Sequence, residues 1–423
     1  MDQAIAVVDI GKTRSKLGLW ARDGRRLAAR DHLNAAAADD PARLDLAGIE
    51  AWLKRALAEL ARVAQITAIV PVGHGAAGVL MDGDRPLAAL DYEAEPPADV
   101  AAAYDAERDP FAATLSPRLP GGLNLGAQLF WLERLHPARW PRGGYALLWP
   151  QYWAWLLSGE RASEVTSLGC HSDLWRPGER RFSDLAMRRG WAERLGPLRH
   201  AADVLGPVRP ALAAELGLPP TCTVHCGLHD SNAALHAARG LAELAGGPFA
   251  VVSTGTWVIA MAVGGAGPAA YDPAADMLAN VDVDGRPVPT ARFMGGRDYE
   301  AWMGEALGEP GDPALLLRVE SAADWTRLPP PQRAARAALE LARRTDRTLG
   351  LIAAEGPILI EGRFAADDAF AAALAMLRPG QAVYRSAVAD GVAAGALRLA
   401  RPDVASAGPL ERIRPGDLVA PDA

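Results

Sequence analysis

The chain has 423 residues and a formal net charge of −7, and it contains no clustered run of Lys and Arg that could follow a phosphate backbone, so we expect no nucleic-acid partner. Its composition, 50% hydrophobic and 22% charged, is typical of a folded globular protein, and the length suits two hydrophobic cores rather than one. No apolar stretch reaches the roughly 20 residues of a membrane span, and the short apolar run near the N-terminus has no basic segment before it.

The cysteine content gives no sign of an oxidising compartment. Cys170, Cys222 and Cys226 form an odd set in a long chain, so a disulfide framework is not expected. Together with the lack of a signal or membrane segment, this predicts a cytoplasmic protein that contacts neither membrane nor nucleic acid.

The N-terminal part of the sequence predicts a run of strands. Apolar, β-rich segments separated by turn residues give strands over residues 4–9, 17–20, 25–31 and 66–72, with an amphipathic helix over 49–63. The last strand ends at Gly73-His74-Gly75, where the bare backbone allows a ligand to approach closely. A solvated loop histidine is the alternative for His74.

The middle of the chain is rich in Pro and Trp and mostly helical. Helices are predicted over residues 125–135 and 147–157, and their aromatic faces are more typical of a core than of a ligand platform. A strand over 221–225 then leads into Gly227-Leu228-His229-Asp230, and a helix of small residues follows over 230–238.

Gly246-Gly247 marks the predicted boundary between two domains, residues 1–245 and 246–423, because paired glycines relax the backbone between packed units. The opening strand–turn–strand pattern recurs over 249–263, which suggests a duplicated architecture. The last third alternates strand and helix, which indicates α/β sheets with crossover helices. These elements are predicted over 357–360, 367–377, 381–386 and 389–400.

Two donor-rich turns are candidates for binding phosphate. In the first, Asp9 ends a strand, and the turn after it supplies the candidate ligands Gly11, Lys12, Thr13, Ser15 and Lys16. Backbone N–H groups in such a turn form an anion-binding concavity, and Lys offers a compact point charge. Ser253-Thr254-Gly255-Thr256 makes a similar turn in the other half. A chance hairpin with a solvated strand edge is the alternative for each.

Asp230 is the candidate base. It follows Gly227 at the end of a strand and begins a helix, and ligand sites of open α/β sheets lie at the carboxyl ends of strands. A helix N-cap is the alternative, and the two roles are compatible because a capping position also fixes the side chain.

Two other polar groups have competing interpretations. The four metal-capable residues near Asp230 are His225, His229, Cys222 and Cys226. They lie in one strand-to-turn stretch, so buried cysteines beside a substrate pocket are favoured over a zinc site. Arg297 and Asp298, beside Gly295-Gly296, form either a surface ion pair or part of a pocket.

The ordered set of motifs resembles the FGGY family of carbohydrate kinases. The resemblance covers nearly the whole chain, through residues 9–16, His74-Gly75, residues 227–230, residues 253–257, Gly362 and residues 390–396. It implies an α/β protein of two ribonuclease-H-like (actin-like) domains with a central interdomain cleft. It also implies ATP and Mg²⁺ as cofactors and a sugar bound by the N-terminal domain.

The resemblance assigns roles to individual residues. Asp230 would deprotonate a sugar hydroxyl, and Asp9 would orient Mg²⁺ through water. The phosphate contacts would come from Gly11, Thr13, Gly255 and Thr256, the adenosine contact from Gly362 with Arg363 on or over the base, and the sugar contacts from His74, Gly75 and Asn232. Further candidates for sugar contacts are Trp149, Gln151, His171 and Arg297.

The sequence departs from the family pattern in three places. Glu361-Gly362-Arg363-Phe364 replaces a longer Gly-rich stretch with Asn, Ala76 replaces the Gln that often follows His-Gly in xylulose kinases, and the chain ends soon after Ala400. We predict phosphorylation of a ketose, deoxyketose or related polyol, with oligomeric state, including a homodimer, left open. The alternatives are a regulatory homologue that binds sugar or nucleotide without turnover, and an actin-like ATPase.

Overall fold

The computed structural model describes residues 2–139, 143–320, 324–386, 390–404, 410–414 and 416. Tertiary contacts divide the chain into two units, each built from three segments. Unit 1 consists of Met1–Ala237, Ala279–Pro287 and Asp390–Ser406, and unit 2 consists of Ala238–Leu278, Val288–Ala389 and Ala407–Ala423. This division by contacts does not decide where one domain ends and the next begins. The predicted domain boundary at Gly246-Gly247 stays a prediction.

The strands are numbered in chain order. They are β1 Gln3–Ile10, β2 Arg14–Ala21, β3 Arg26–Leu33, β4 Ala36–Ala37, β5 Asp40–Leu44, β6 Gln65–Gly73, β7 Gly78–Asp82, β8 Arg85–Ala89, β9 Tyr145–Leu148, β10 Ser163–Glu164, β11 Trp175–Arg176, β12 Arg181–Phe182, β13 Leu198–Arg199, β14 Val204–Pro207, β15 Thr223–His225, β16 Leu228–His229, β17 Phe249–Thr254, β18 Val258–Val263, β19 Met277–Val281, β20 Pro287–Phe293, β21 Ile358–Gly362, β22 Val383–Arg385 and β23 Glu411–Ile413.

The helices are numbered in the same way. They are α1 Leu46–Leu60, α2 Ala98–Glu107, α3 Phe111–Thr114, α4 Leu125–Leu135, α5 Trp149–Ser158, α6 Val165–Leu168, α7 Asp184–Arg188, α8 Trp191–Arg194, α9 Pro210–Leu216, α10 Asp230–Ala238, α11 Gly295–Met303, α12 Leu316–Val319, α13 Pro330–Leu351, α14 Asp368–Leu377 and α15 Gly391–Ala400. Within the described residues, none of these helices is long and apolar enough to cross a membrane.

The main sheet of unit 1 has the order β14-β15-β6-β1-β2-β3, with β16 also pairing with β6. Strands β1, β2 and β3 form an antiparallel meander, whereas β6 pairs in parallel with β1, β15 and β16. Side chains of a strand alternate between faces, so β1 directs Ala4, Ala6 and Val8 into the core with α1, and Ile5 and Val7 into the cluster with α15. Asp9 lies on the same face of β1 as Ile5 and Val7.

A smaller sheet of order β8-β7-β9 extends unit 1 and packs with α4 and α5. The helix predicted over 147–157 differs at its start: Leu147 and Leu148 belong to β9, and α5 begins at Trp149. The reason is local, because Leu147 and Leu148 pair with Val79 and Gly78 of β7, and a proline in the first turn of α5 favours a helix start there.

The sheet of unit 2 has the order β19-β20-β18-β17-β21-β22-β23. As in unit 1, the first strand, β17, pairs antiparallel with the next strand and in parallel with a later one, β21. The buried faces of α13 and α14 cover this sheet. The duplicated architecture suggested by the recurring strand–turn–strand pattern is therefore present in the strand order of the two sheets.

Helix α15 packs against α10 within unit 1 without room for a side chain. A Cβ atom on Gly395 would lie 1.7 Å from the carbonyl oxygen of Ala233. Backbone atoms move less readily than the end of a flexible side chain, so this position requires glycine for packing rather than for backbone freedom.

We expect Gly395→Ala to lower the thermal unfolding temperature, with a destabilisation of about 1–3 kcal/mol from overpacking. The matched control is Gly350→Ala in α13, where the nearest described atom to the added Cβ is Nη2 of Arg378 at 3.7 Å and Ala is the better helix former by up to about 1 kcal/mol. Calorimetry of both variants should give opposite signs. Equal effects would contradict the close α10–α15 contact.

Candidate active site

The backbone before Asp230 is fixed by a glycine. Gly227 has a φ of +78°, and a Cβ there would lie 2.1 Å from the carbonyl oxygen of Pro71 in β6. After this turn β16 pairs in parallel with Val72 and Gly73 of β6, and Asp230 begins α10. Asp230 therefore lies at the carboxyl end of a strand, as the sequence predicted. It is also next to the loop that carries His74.

Asp230 has partners on its own chain segment. Its Oδ1 accepts hydrogen bonds from the backbone N–H of Ser231 at 2.6 Å and from the Ser231 hydroxyl at 3.2 Å, and lies 3.2 Å from Nε2 of His229. The Asp230 side chain is 31% exposed. A carboxylate that is held in place and still reaches solvent can meet a substrate hydroxyl.

Asp9 lies in a concentration of negative charge. Burial, together with the neighbouring carboxylates Asp230 and Asp390, raises the pKa of Asp9 to about 7, although the nearby Lys16 opposes the shift. Asp9, Lys16 and Asp390 also line a pocket of about 230 Å³ in unit 1. A group that brings positive charge to these carboxylates would favour the ionised form of Asp9.

Behind Asp230 lies a buried polar cluster that the sequence did not reveal. The backbone N–H of His229 donates to the Thr166 hydroxyl at 3.0 Å, and that hydroxyl donates to Glu164 at 2.5 Å. Nε2 of His229 also lies 3.6 Å from Sγ of Cys170. These residues come from distant parts of the sequence and show no periodic pattern. The one available signal was Glu164 itself, an acidic residue whose neighbours in the sequence are apolar or carry hydroxyl groups.

Two members of this cluster, His229 and Glu164, have raised pKa values. Burial disfavours the charged form of His229, but Cys170 and Asp230 outweigh it and raise the pKa of the imidazole to about 9. Burial raises the pKa of Glu164 to about 7, against hydrogen bonds from Thr166 and Ser167. The charged form of His229 is therefore favoured at neutral pH, and its Nε2 lies 3.2 Å from Oδ1 of Asp230.

His74 is buried in the loop after β6. Its Nδ1 lies 2.8 Å from the carbonyl oxygen of Gly75, and burial lowers the pKa of the ring, so the neutral imidazole donates from Nδ1. Nε2 is buried and has no hydrogen-bond partner among the described residues. The ring lies 5.4 Å from Tyr92 and 5.3 Å from Trp149, measured between centroids. The free Nε2 can accept a hydrogen bond from a ligand hydroxyl.

The first candidate phosphate turn is held by a residue that the sequence did not single out. Asn34 donates from Nδ2 to the carbonyl oxygens of Gly11 and Lys12, at 2.7 and 3.1 Å, and accepts from the hydroxyl of Ser15 at 2.8 Å. Its backbone N–H donates to Thr13. Ser15 is fully buried, and the Lys12 ammonium contacts Asp91 and Glu93. The phosphate roles of the turn stay predictions.

In unit 2 the second turn packs against β21 through glycines. A Cβ on Gly362, whose φ is +83°, would lie 2.1 Å from the carbonyl oxygen of Thr254, and the Thr254 hydroxyl accepts from the backbone N–H of Phe364 at 2.9 Å. Gly296 closes the other side, because its Cβ would lie 2.1 Å from the carbonyl oxygen of Gly255. Arg363 pairs with Glu300 at 2.5 Å.

Several candidate sugar contacts have structural partners in the protein. Asn232 donates to the carbonyl oxygen of Val281 at 2.8 Å, and Trp149 donates to that of Ile10 at 2.9 Å. Gln151 donates to the carbonyl oxygens of Cys226 and Gly227, which supports the turn before Asp230. The remaining two differ in exposure: His171 is partly buried with Nδ1 2.8 Å from the Leu123 carbonyl oxygen, and Arg297 is exposed.

The alternative interpretations of the polar groups can be compared with the geometry. Across the ranges that the structure describes, no group of three or more His, Cys, Asp or Glu side chains is arranged to hold a metal ion directly. Cys222 and Cys226 are buried. Asp298 pairs with Arg344 at 2.6 Å.

Comparison with known proteins identifies relatives along the whole chain. Residues 246–321 and 317–407 match the family described as carbohydrate kinase FGGY, C-terminal domain. The chain is 44% identical to a carbohydrate kinase from Novosphingobium aromaticivorans, over 99% of this chain and 97% of that one, with a TM-score of 0.92. No curated protein matches the chain.

More distant solved structures share the fold. A xylulose kinase from Rhodospirillum rubrum is 19% identical over 97% of this chain and 94% of that one, with a TM-score of 0.76. A gluconate kinase from Lactobacillus acidophilus is 13% identical over 94% and 89%, with a TM-score of 0.71. The predicted α/β fold of ribonuclease-H-like domains is confirmed.

We expect Glu164→Gln to reduce the loss of stability as the pH rises. The folded-state pKa of Glu164 is raised, so its contribution to stability is fully present below the unfolded pKa of about 4.5 and is lost as the pH rises through about 7. Because Gln is neutral, the variant has no such loss. Its free energy of unfolding relative to that of the wild type should therefore rise by about 2–3 kcal/mol between pH 5 and pH 8. Urea unfolding at the two pH values measures this difference.

The control for this series is Glu215→Gln, at an exposed position of α9, which should follow the wild type at both pH values. If Glu164→Gln shows the same pH dependence as the wild type, the buried carboxyl is not the group that titrates.

Proposed function

Because the chain belongs to the FGGY family of carbohydrate kinases, we propose that it transfers the γ-phosphoryl group of ATP to a hydroxyl of a ketose, deoxyketose or related polyol, with Asp230 as the general base. The observation that carries this proposal is the setting of Asp230. Its carboxylate is held at the end of β16 by Ser231, is partly exposed, and lies 3.2 Å from Nε2 of His229.

The proposed reaction needs one proton transfer. As the acceptor oxygen attacks the γ-phosphorus, its proton passes to Asp230, the bond to the bridging oxygen breaks, and ADP leaves. The proton then returns from Asp230 to solvent. His229 orients Asp230 through the contact of its Nε2 with Oδ1, and Nε2 of His74 accepts a hydrogen bond from a second hydroxyl of the sugar.

The nucleotide is assigned to both candidate turns. In this proposal Gly11, Thr13, Ser15 and Lys16 of the first turn contact the nucleotide. Gly255, Thr256, Gly362 and Arg363 belong to the second, with Gly362 against the adenosine. The glycine contacts around Thr254 support a closely packed turn with little side-chain bulk. Such turns present backbone N–H groups to phosphate oxygens.

Mg²⁺ fits the charge of the site but not a direct protein cage. Burial and the neighbouring carboxylates Asp230 and Asp390 raise the pKa of Asp9, whereas the described residues hold no ready cluster of three ligands. Mg²⁺ commonly keeps several waters and binds through one or two carboxylates and substrate phosphates. We assign Asp9 to orient the ion through water, and the ion would neutralise charge on the transferring phosphoryl group.

We expect Asp230→Asn to reduce kcat for sugar phosphorylation by about 10²–10⁴-fold, because the amide cannot accept the proton. ATP binding, measured by calorimetry, should stay within about threefold, since no step of nucleotide binding uses this side chain. Coupled ADP release over C5 and C6 ketoses and polyols is the assay.

The control variant is Asp99→Asn, an exposed carboxylate in the first turn of α2, which should keep full activity. An Asp230→Asn enzyme that turns over sugar at the wild-type rate would rule out Asp230 as the base. Sugar-independent ATP hydrolysis with polymerisation would favour an actin-like ATPase, and binding without ADP release would favour a regulatory homologue.

A further inference from the structure

Lys12 makes contacts that its place in a phosphate turn did not predict. Its Nζ lies 3.1 Å from Oδ1 of Asp91, contacts Glu93, and lies 4.7 Å from the centroid of the Tyr92 ring between them. Burial acts to lower the pKa of the ammonium, but the hydrogen bonds to Glu93 and Asp91 raise it. Lys12 therefore stays charged and binds three consecutive residues of the loop after β8.

The backbone of this loop is fixed independently of Lys12. The N–H of Asp91 donates to the carbonyl oxygen of Ala42 at 2.8 Å, and the N–H of Gly122 donates to that of Tyr92 at 2.9 Å. The side chain of Asp91 also accepts from the backbone N–H of Glu93 at 2.8 Å. Because the main chain is already held, the Lys12 contacts act on the orientation of the side chains.

Tyr92 is directed toward the proposed acceptor site. Its ring meets His74 edge-on, with 5.4 Å between centroids and an interplanar angle of 74°, and Trp149 lies on His74 at 5.3 Å. Within the ranges that the structure describes, Nε2 of His74 is buried without a hydrogen-bond partner, which marks a place for a ligand hydroxyl. Asp230 is close enough to act electrostatically on both His74 and Tyr92.

Carboxylates act on both rings. The positive charge of Lys12 is shared between Asp91 and Glu93, so it is already paired within the protein, and Asp230 acts electrostatically on His74 and Tyr92. At about 6 Å and an effective dielectric constant of about 20, one carboxylate of the protein would disfavour a carboxylate on the ligand on the order of 100-fold.

We propose that Lys12, Asp91 and Glu93 form an ionic clamp that holds Tyr92 as a wall of the acceptor site, and that this site takes an uncharged sugar or polyol and excludes sugar acids. The inference rests on the proposed kinase function and adds to it. It gives Lys12 a role on the acceptor side instead of on the nucleotide phosphates, and it makes Tyr92 a specificity-determining residue.

The role of Lys12 is tested by the variants Lys12→Met and Asp91→Asn, with KM measured separately for acceptor and for ATP. Both should raise the KM of the acceptor by about tenfold and leave the KM of ATP within twofold. The double variant should be no worse than the poorer single variant, because both remove the same interaction. Lys54→Met removes the ion pair of Lys54 with Glu50 in α1 and is the matched control, with both KM values unchanged.

A rise in the KM of ATP alone after Lys12→Met would indicate that Lys12 contacts the phosphates of the nucleotide, and it would overturn the ionic clamp. If Lys12→Met does not fold, Tyr92→Ala tests the same site from the loop side. It should raise the acceptor KM by about tenfold, and an unchanged acceptor KM would show that Tyr92 is not part of the wall.

Charge selection is tested with C5 and C6 ketoses and polyols against D-xylonate and D-gluconate, which have the same carbon numbers. The wild type should prefer the best neutral acceptor by about 100-fold or more in kcat/KM, and the variant carrying both Asp91→Asn and Glu93→Gln should narrow that ratio at least tenfold. A wild type that prefers an aldonate would overturn this inference while leaving the kinase function intact. No sugar-dependent ADP release with any acceptor would reject the proposed function, and the inference with it.

Discussion

The contact between Gly227 and Pro71 is the constraint on which the site depends. A left-handed backbone at Gly227, with its Cα against the Pro71 carbonyl, lets the chain turn from β15 into β16 and pair again with β6. That pairing sets Asp230 beside the loop of His74. Any side chain at 227 would force the two strands apart, and the carboxylate would lose its position.

The sequence predicted the elements that follow simple rules. Strands β1, β6, β15 and β17 are short apolar runs that end at turn residues, and helices α1, α4, α10 and α14 carry helical spacing or small residues with clear stops. Placement of Asp9 and Asp230 at strand ends followed from those boundaries. The predicted start of α5 was wrong by two residues. The reason is that an apolar run with few β-branched residues does not distinguish a buried strand from a helix.

The polar partners of the site were beyond sequence reasoning. Asn34, the residue after β3, reaches the first turn, and Thr166 and Cys170 contact His229 across more than fifty residues of chain. Such contacts depend on side-chain directions in a finished fold, and no period or spacing encodes them. Lys12 illustrates the same limit, since its neighbours in sequence suggest phosphate and its neighbours in space are carboxylates.

Unit 1 takes its last helix from the far end of the chain. The sheet face formed by Ile5 and Val7 is covered by α15, which begins at Gly391, and Val283 joins the same cluster from a third segment. During synthesis this apolar face stays uncovered until residues 391–400 have left the ribosome. The N-terminal sheet can form early, but its closure is a late event, and exposed apolar surface on such an intermediate invites aggregation or chaperone binding.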